Sequence, residues 1–150
     1  MTQKLTFPVH IPFADELGLE LWAFGEGKAE LRMDIGAVHL NSRDVAHGGV
    51  LMTMLDVVMA HAAKSIDSHD PEQARAVVTI EMKTSFMRPA EGPLRALGEL
   101  LHHTSGMAFT EGRIIDAQGR LCAHASGTFK YVRPLPGAPR SPQTTSRSAS

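Results

Sequence analysis

The chain of 150 residues has a single cysteine, Cys122. One thiol leaves no pair for a disulfide framework and no cysteine set for a structural zinc. There is also no excess of either charge. Fifteen Lys and Arg stand against sixteen Asp and Glu, a net of −1, and the basic residues are scattered. That balance leaves no electrostatic footprint for nucleic acid or for an anionic membrane surface. The most apolar stretch, Val50 to Ala60, is 11 residues long, well short of the roughly 20 that a bilayer requires. Met1 to His10 lacks the basic-then-apolar pattern of a secretory signal, so a reducing cytoplasm is the expected location. There is no internal repeat, no His-Glu-x-x-His and no Gly-x-Ser-x-Gly, which argues against a solenoid, that class of zinc enzyme and a serine-hydrolase elbow.

What is present is the composition of an ordinary globular protein, 43% apolar and 21% charged. A chain of this length is expected to form one domain that buries roughly 70% of its unfolded surface. It is organised around His47 to Ala63. From Val50 to Ala60 this stretch is apolar on every face except for Thr53 and Asp56, the pattern of a helix wrapped by the rest of its protein.

The other segments fall into order around that helix. Met1 to Pro12 reads as an irregular arm. Pro12 to Gly18 is a short helix, with proline in its first turn and glycine at its end. Leu19–Phe24 and Lys28–Asp34, split by Gly25-Glu26-Gly27, form a hairpin. Ile35 to Ala46 is a polar loop. After the helix comes a surface loop, Asp67 to Glu72, and then the pattern changes to period two. Four long strands are expected, over Ala76–Met87, Leu94–Thr104, Met107–Asp116 and Leu121–Val132. From Arg133 to Ser150, proline, serine, threonine, glycine and arginine dominate, and a disordered tail is expected beyond a domain of residues 1–132. The fold class is α+β, a helix cradled in a strongly curved antiparallel sheet, with a second subunit covering what one sheet leaves bare.

Two features of the central stretch carry chemistry. His47-Gly48-Gly49 opens the helix, where unpaired N–H groups and the positive dipole end can hold an anion or polarise a carbonyl oxygen. The same glycines could instead serve only close packing. Asp56 stands among Met52, Met54, Leu55, Val57 and Met59. Burial makes a carboxylate a better base, although a structural aspartate bonded to a polar neighbour has the same appearance. Asp56 is nine residues past His47, about 2.5 turns and about 13.5 Å along a helix. One helix cannot bring both to a single carbon. If both are catalytic, a two-fold related copy must supply the missing half.

The pattern Asn41, His47-Gly48-Gly49, Leu55-Asp56 and a strand ending Phe86-Met87-Arg88-Pro89-Ala90 closely resembles the hotdog-fold acyl-CoA thioesterases of the phenylacetate-degradation (PaaI-like) type. The resemblance covers about Gly18 to Val132. It implies a long central helix wrapped by a five- or six-stranded antiparallel sheet, in homodimers joined edge to edge and often paired into homotetramers. It implies an acyl-CoA substrate, with coenzyme A as part of the substrate and no separate cofactor or metal. It assigns the Gly48 N–H, helped by Asn41, to the thioester carbonyl. It assigns His47 to shaping the loop and Asp56 to activating water or attacking directly. Thr79 would hold the water, and Gly49 and Arg88 would bind substrate, Arg88 near the coenzyme A phosphates. One departure stands out. Relatives commonly carry Gly-Arg or Gly-Lys before the strand that begins at Met107, where this chain has Thr104-Ser105-Gly106. Two other functions are consistent with the same fold, an enoyl-CoA hydratase or dehydratase and a non-catalytic acyl-CoA binder. His-Gly-Gly with Asp nine residues after the His favours hydrolysis.

The remaining residues have simpler readings. His47 and His61 are 14 apart, too far for a metal pair, and His102 and His103 point to opposite faces of a strand. The methionines read as core filler or as an adaptable pocket lining. Cys122 reads as a small buried strand residue.

Overall fold

Pro12 in the first turn, an early acid at Asp15 and a left-handed Gly18 at the end make Pro12–Leu17 a short helix, α1. The hairpin follows as β1 (Glu20–Gly25) and β2 (Lys28–Asp34). The central helix, α2, runs Gly48–Lys64. Four strands come after it: β3 (Ala76–Phe86), β4 (Pro93–His103), β5 (Met107–Ile115) and β6 (Leu121–Val132). The computed structural model describes residues 3–66 and 75–133. The expected loop at Asp67–Glu72 and all of the expected tail except Arg133 lie outside the described residues. None of the described helices is long and apolar enough to cross a membrane.

All neighbouring strands pair antiparallel in one six-stranded sheet, in the order β1-β2-β4-β5-β6-β3. α2 therefore carries the chain across the sheet, from β2 to the far edge strand β3. Its Leu51, Met54, Leu55, Val58, Met59, Ala62 and Ala63 are buried against Leu31, Met33, Leu94, Ala96, Ala108, Ile114, Ala125 and Phe129. The sheet face under the helix is bare of side chains where the two come closest. A Cβ on Gly98 would lie 2.5 Å from the Val58 carbonyl oxygen, and one on Gly127 would lie 2.9 Å from Met59 Cε. At Gly98, which meets helix backbone, only glycine allows that approach, whereas at Gly127 the neighbour is the end of the flexible Met59 side chain.

Three features bear on the expectations, one meeting them and two correcting them. First, as expected of a helix seated on one sheet, α2 is not covered on all sides. Met52 is 37% exposed, Thr53 and Asp56 are half-buried, and this flank of the helix looks toward β3. Second, β3 does not keep period two, because a bulge at Thr79–Glu81 shifts its register against β6. Val77 and Thr79 face the helix side before the bulge and Phe86 after it, which leaves Val78 and Ile80 about half exposed. An extra residue reverses which parity of the strand points inward, and no composition signal marks the place. Third, the arm is not wholly irregular. The Leu5 N–H donates to the Leu21 carbonyl (2.7 Å) in a bridge on the outer edge of β1.

Candidate active site

The loop from Ile35 to His47 is held in place by backbone bonds. Leu40 bridges Ala46, the Ala46 N–H donates to the Ala90 carbonyl (3.0 Å) and the His47 N–H to the His39 carbonyl (2.8 Å). Asn41 sits inside this loop with its amide orientation determined. Its Oδ1 accepts from the Arg43 N–H at 2.8 Å and the Val45 N–H at 3.4 Å. Both partners are donors, so the oxygen must face them, and the Nδ2 hydrogens are left to point elsewhere.

His47 is the N-cap of α2, with extended backbone (φ −60°, ψ 137°), and its Nδ1 accepts from the Gly49 N–H at 2.8 Å. An N-cap side chain satisfies one of the first four helix N–H groups. The Gly48 N–H has no acceptor among the described residues. It stands at the positive end of a 17-residue helix, where a developing negative charge is stabilised. Asn41, Gly48 and Leu51 line one side of an open cavity of about 320 Å³, and Phe86, Met87 and Arg88 line the other. The tip of the Phe86 ring stands over Gly48, 3.4 Å from where a Cβ would be. β3 ends in a fork, since the Met87 and Arg88 N–H groups both donate to the Cys122 carbonyl (2.9 and 3.2 Å). Arg88 is exposed at the cavity and has no ion-pair partner among the described residues.

Asp56 lies elsewhere, eight residues further along the same helix, about 12 Å from Gly48 by helical rise. It is half-buried rather than enclosed, so the desolvation expected from its apolar neighbours in sequence is only partial in the single chain. Thr79, across from it on β3, donates its hydroxyl to Asp56 Oδ1 at 2.6 Å. That bond orients the carboxylate and leaves Oδ2 open as a proton acceptor, while the hydroxyl oxygen can still accept from a water.

The sequence-predicted residues thus form two groups on one chain. Asn41, His47, Gly48, Gly49 and Arg88 gather at the N-terminal end of α2, and Asp56 and Thr79 gather near its middle. Both groups lie on the helix flank facing β3. Phe86 is a wall of the cavity that sequence reasoning quoted without giving it a role. Its signal was an aromatic closing a strand directly before Met87-Arg88-Pro89. His102 stacks on Phe109 with centroids 6.1 Å apart and His103 is exposed. His61 is buried under Phe7 and Phe24.

A family model described as the Thioesterase superfamily matches residues 44–123. The acyl-coenzyme A thioesterase PaaI of Escherichia coli K12 is 28% identical over 112 residues, covering 73% of this chain and 75% of that protein. A provisionally named esterase of Saccharolobus solfataricus is 32% identical over 90 residues, covering 59% of this chain. This chain spans 61% of that relative's length. The solved structure of conserved protein PA5202 from Pseudomonas aeruginosa superposes with a TM-score of 0.76 at 28% identity, covering 83% of this chain and 97% of that one.

Proposed function

Because the chain belongs to the Thioesterase superfamily and is a PaaI-like thioester hydrolase of the hotdog fold, we propose that it hydrolyses acyl-coenzyme A to a free acid and coenzyme A at a site shared between two copies. The observation that carries this reading is the placement of Gly48 and Asp56 on one flank of α2. Gly48 lies against Phe86 and Asp56 against Thr79, at the two ends of an edge strand whose outer side has no neighbour among the described residues. An open edge of 11 residues with exposed Val78, Ile80 and Phe86 is a template for another strand.

Antiparallel pairing of β3 with β3 of a second copy, in the register that completes both sites, sets Thr79 of one across from Phe86 of the other. Asp56 of one copy then stands by the Gly48 cavity of its partner, twice over, as two-fold symmetry requires. With the bulge counted as one position, the axis passes near Lys83. Glu81 of the partner subunit is then the diagonal neighbour of each Lys83, which offsets the like charges at the axis.

In that assembly the thioester oxygen is held by the Gly48 N–H and the Asn41 amide. The Asp56 carboxylate takes a proton from water as the water oxygen bonds to the carbonyl carbon. Collapse of the tetrahedral species breaks the C–S bond, and the proton passes from Asp56 to the departing thiolate. Arg88, at the mouth of the cavity, would meet the phosphates of coenzyme A, since the β4–β5 turn offers Thr104, Ser105 and Gly106 and no basic residue. Pairing of such dimers into homotetramers and a cytoplasmic location complete the proposal.

The test is release of free thiol from a panel of aromatic and aliphatic acyl-CoA substrates. Asp56→Asn should lower kcat by about a thousandfold or more while the oligomer persists. Undiminished turnover removes Asp56 from the chemistry. Hydration of an enoyl-CoA without thiol release would establish the hydratase reading, and tight binding without turnover the binder.

A further inference from the structure

The cavity donors are Gly48, the first residue of α2, and Asn41 in the loop before it, a loop with little regular structure of its own, one short 3₁₀ turn at Ala37–His39 and the Leu40–Ala46 bridge. We propose that His39 is the positioning residue that sets the placement of both donors. This rests on the thioesterase reading above for its functional consequence.

The His39 side chain is 5% exposed, and both ring nitrogens are bonded. Nδ1 lies 2.9 Å from the Gly36 N–H and must accept from it. Nε2 lies 2.7 Å from the Leu17 carbonyl and must donate to it. One neutral tautomer satisfies both partners and the other satisfies neither. The ring therefore joins the start of the loop to the C-terminal end of α1, 22 residues earlier. In doing so it occupies one of the carbonyls that a helix end leaves without an internal partner.

The backbone of the same residue faces the site. Its carbonyl accepts the His47 N–H at 2.8 Å, and His47 in turn caps α2 through the Gly49 N–H at 2.8 Å. Gly48 lies between the two residues of that last bond. A continuous series of hydrogen bonds thus runs from α1 through His39 and His47 to the first turn of α2. Leu40, next in sequence to His39, bridges Ala46, so Asn41 is carried on the same clamp. A donor held through such a series is preorganised, and displacement of an oxyanion donor by about 1 Å costs about a hundredfold in rate. The effect falls on kcat, because a donor aimed at the developing oxyanion contributes more to the transition state than to substrate binding.

The experiment compares the full-length wild type with His39→Asn and His39→Gln. Asn keeps an acceptor at the Nδ1 position toward Gly36, but its amide N–H stops short of the Leu17 carbonyl that Nε2 reaches, whereas the longer Gln brings its acceptor and its donor to both partners. Thiol release gives kcat and KM, and amide hydrogen exchange by NMR gives the protection of His47 and Gly49. His39→Asn is expected to lose at least tenfold in kcat with KM changed less than threefold, and to exchange both amides at least tenfold faster. His39→Gln is expected to stay within threefold of wild type in both readouts. Wild-type kcat and exchange in folded His39→Asn overturn the proposal. So does a tenfold loss of kcat in folded His39→Gln with Gly49 protection unchanged, and this arm decides the matter if His39→Asn does not fold. If the wild type releases no thiol from any acyl-CoA, the thioesterase reading fails, and the exchange rates still decide whether His39 holds the helix terminus.

Discussion

His61 makes the stability of this protein depend on pH in a calculable way. It lies on α2 with 1% of its surface exposed, packed edge-on against Phe7 and Phe24 at centroid distances of 5.2 and 6.3 Å. Its Nδ1 donates to the Val57 carbonyl at 2.7 Å, and its Nε2 is buried with no partner among the described residues. Burial, helped by the nearby Lys64 charge and opposed by the Val57 carbonyl, pushes the imidazole down from its ordinary 6.5 to about 3. The folded protein thus keeps this ring neutral at pH values where the unfolded chain takes up a proton. The stabilisation is complete above about pH 7 and is lost as pH falls from 6.5 toward 3. At pH 5 an unfolded imidazole is protonated by about 30 to 1, which corresponds to about 2 kcal/mol lost from folding. For a chain of this size that is a fall in Tm of about 4 to 8 °C. The control is His61→Leu, which keeps an apolar side chain of similar volume and removes the titration. Carboxylates titrate in both proteins, so the informative quantity is the difference between the two. Thermal unfolding at fixed protein concentration, from pH 7.5 to 5, should show wild type losing about 2 kcal/mol relative to the variant. Parallel curves over that range would refute the argument that this ring is buried neutral.

Other outcomes follow from the site and from the packing. Gly48→Pro removes the free N–H at a position where proline suits a helix start, and His47 already has the extended backbone that a residue before proline needs. Its kcat for thiol release should fall about 100- to 1000-fold with Tm unchanged or slightly raised. Gly98→Ala drives a methyl group onto the Val58 carbonyl, 2.5 Å away, and should cost about 3 kcal/mol in chemical denaturation. A loss under about 0.5 kcal/mol would mean that α2 is not seated as described. Lys83→Cys should cross-link two copies spontaneously across the proposed axis, seen on a non-reducing gel, while buried Cys122 leaves the wild type uncross-linked. Cross-linking at Ser85→Cys in place of Lys83→Cys would shift the register and uncouple Asp56 from the partner's cavity.

Much of the architecture is legible before any coordinates. Proline, acid and glycine mark α1, the Gly25-Glu26-Gly27 break marks the hairpin, and the change from helical to alternating periodicity after Lys64 separates α2 from the strands. Each is a local rule of backbone sterics or of one-sided burial. The bulge in β3 escapes such reading, because an extra residue in a strand changes no residue type. The open flank of α2 was expected, but apolar composition states only that a face prefers to be covered and not by which element, and here the edge strand β3 takes part of it. The resemblance gave Thr79 and Asp56 separate roles toward the water and did not join them. The bond itself depends on two residues 23 apart in sequence meeting across a crossover connection.

By itself the sequence determined which groups could do chemistry: a helix opened by two glycines, an aspartate nine residues past the histidine, and an asparagine ahead of both. Their spacing of about 2.5 helical turns already forbade one chain from using both ends on one carbon. Only the tertiary structure decided which way the helix flank faces, that both ends look toward the open edge of β3, and that His39 ties the loop to α1. Those are long-range contacts, set by how α2 seats on the glycine-bared sheet, and no local pattern encodes the meeting of residues so far apart along the chain.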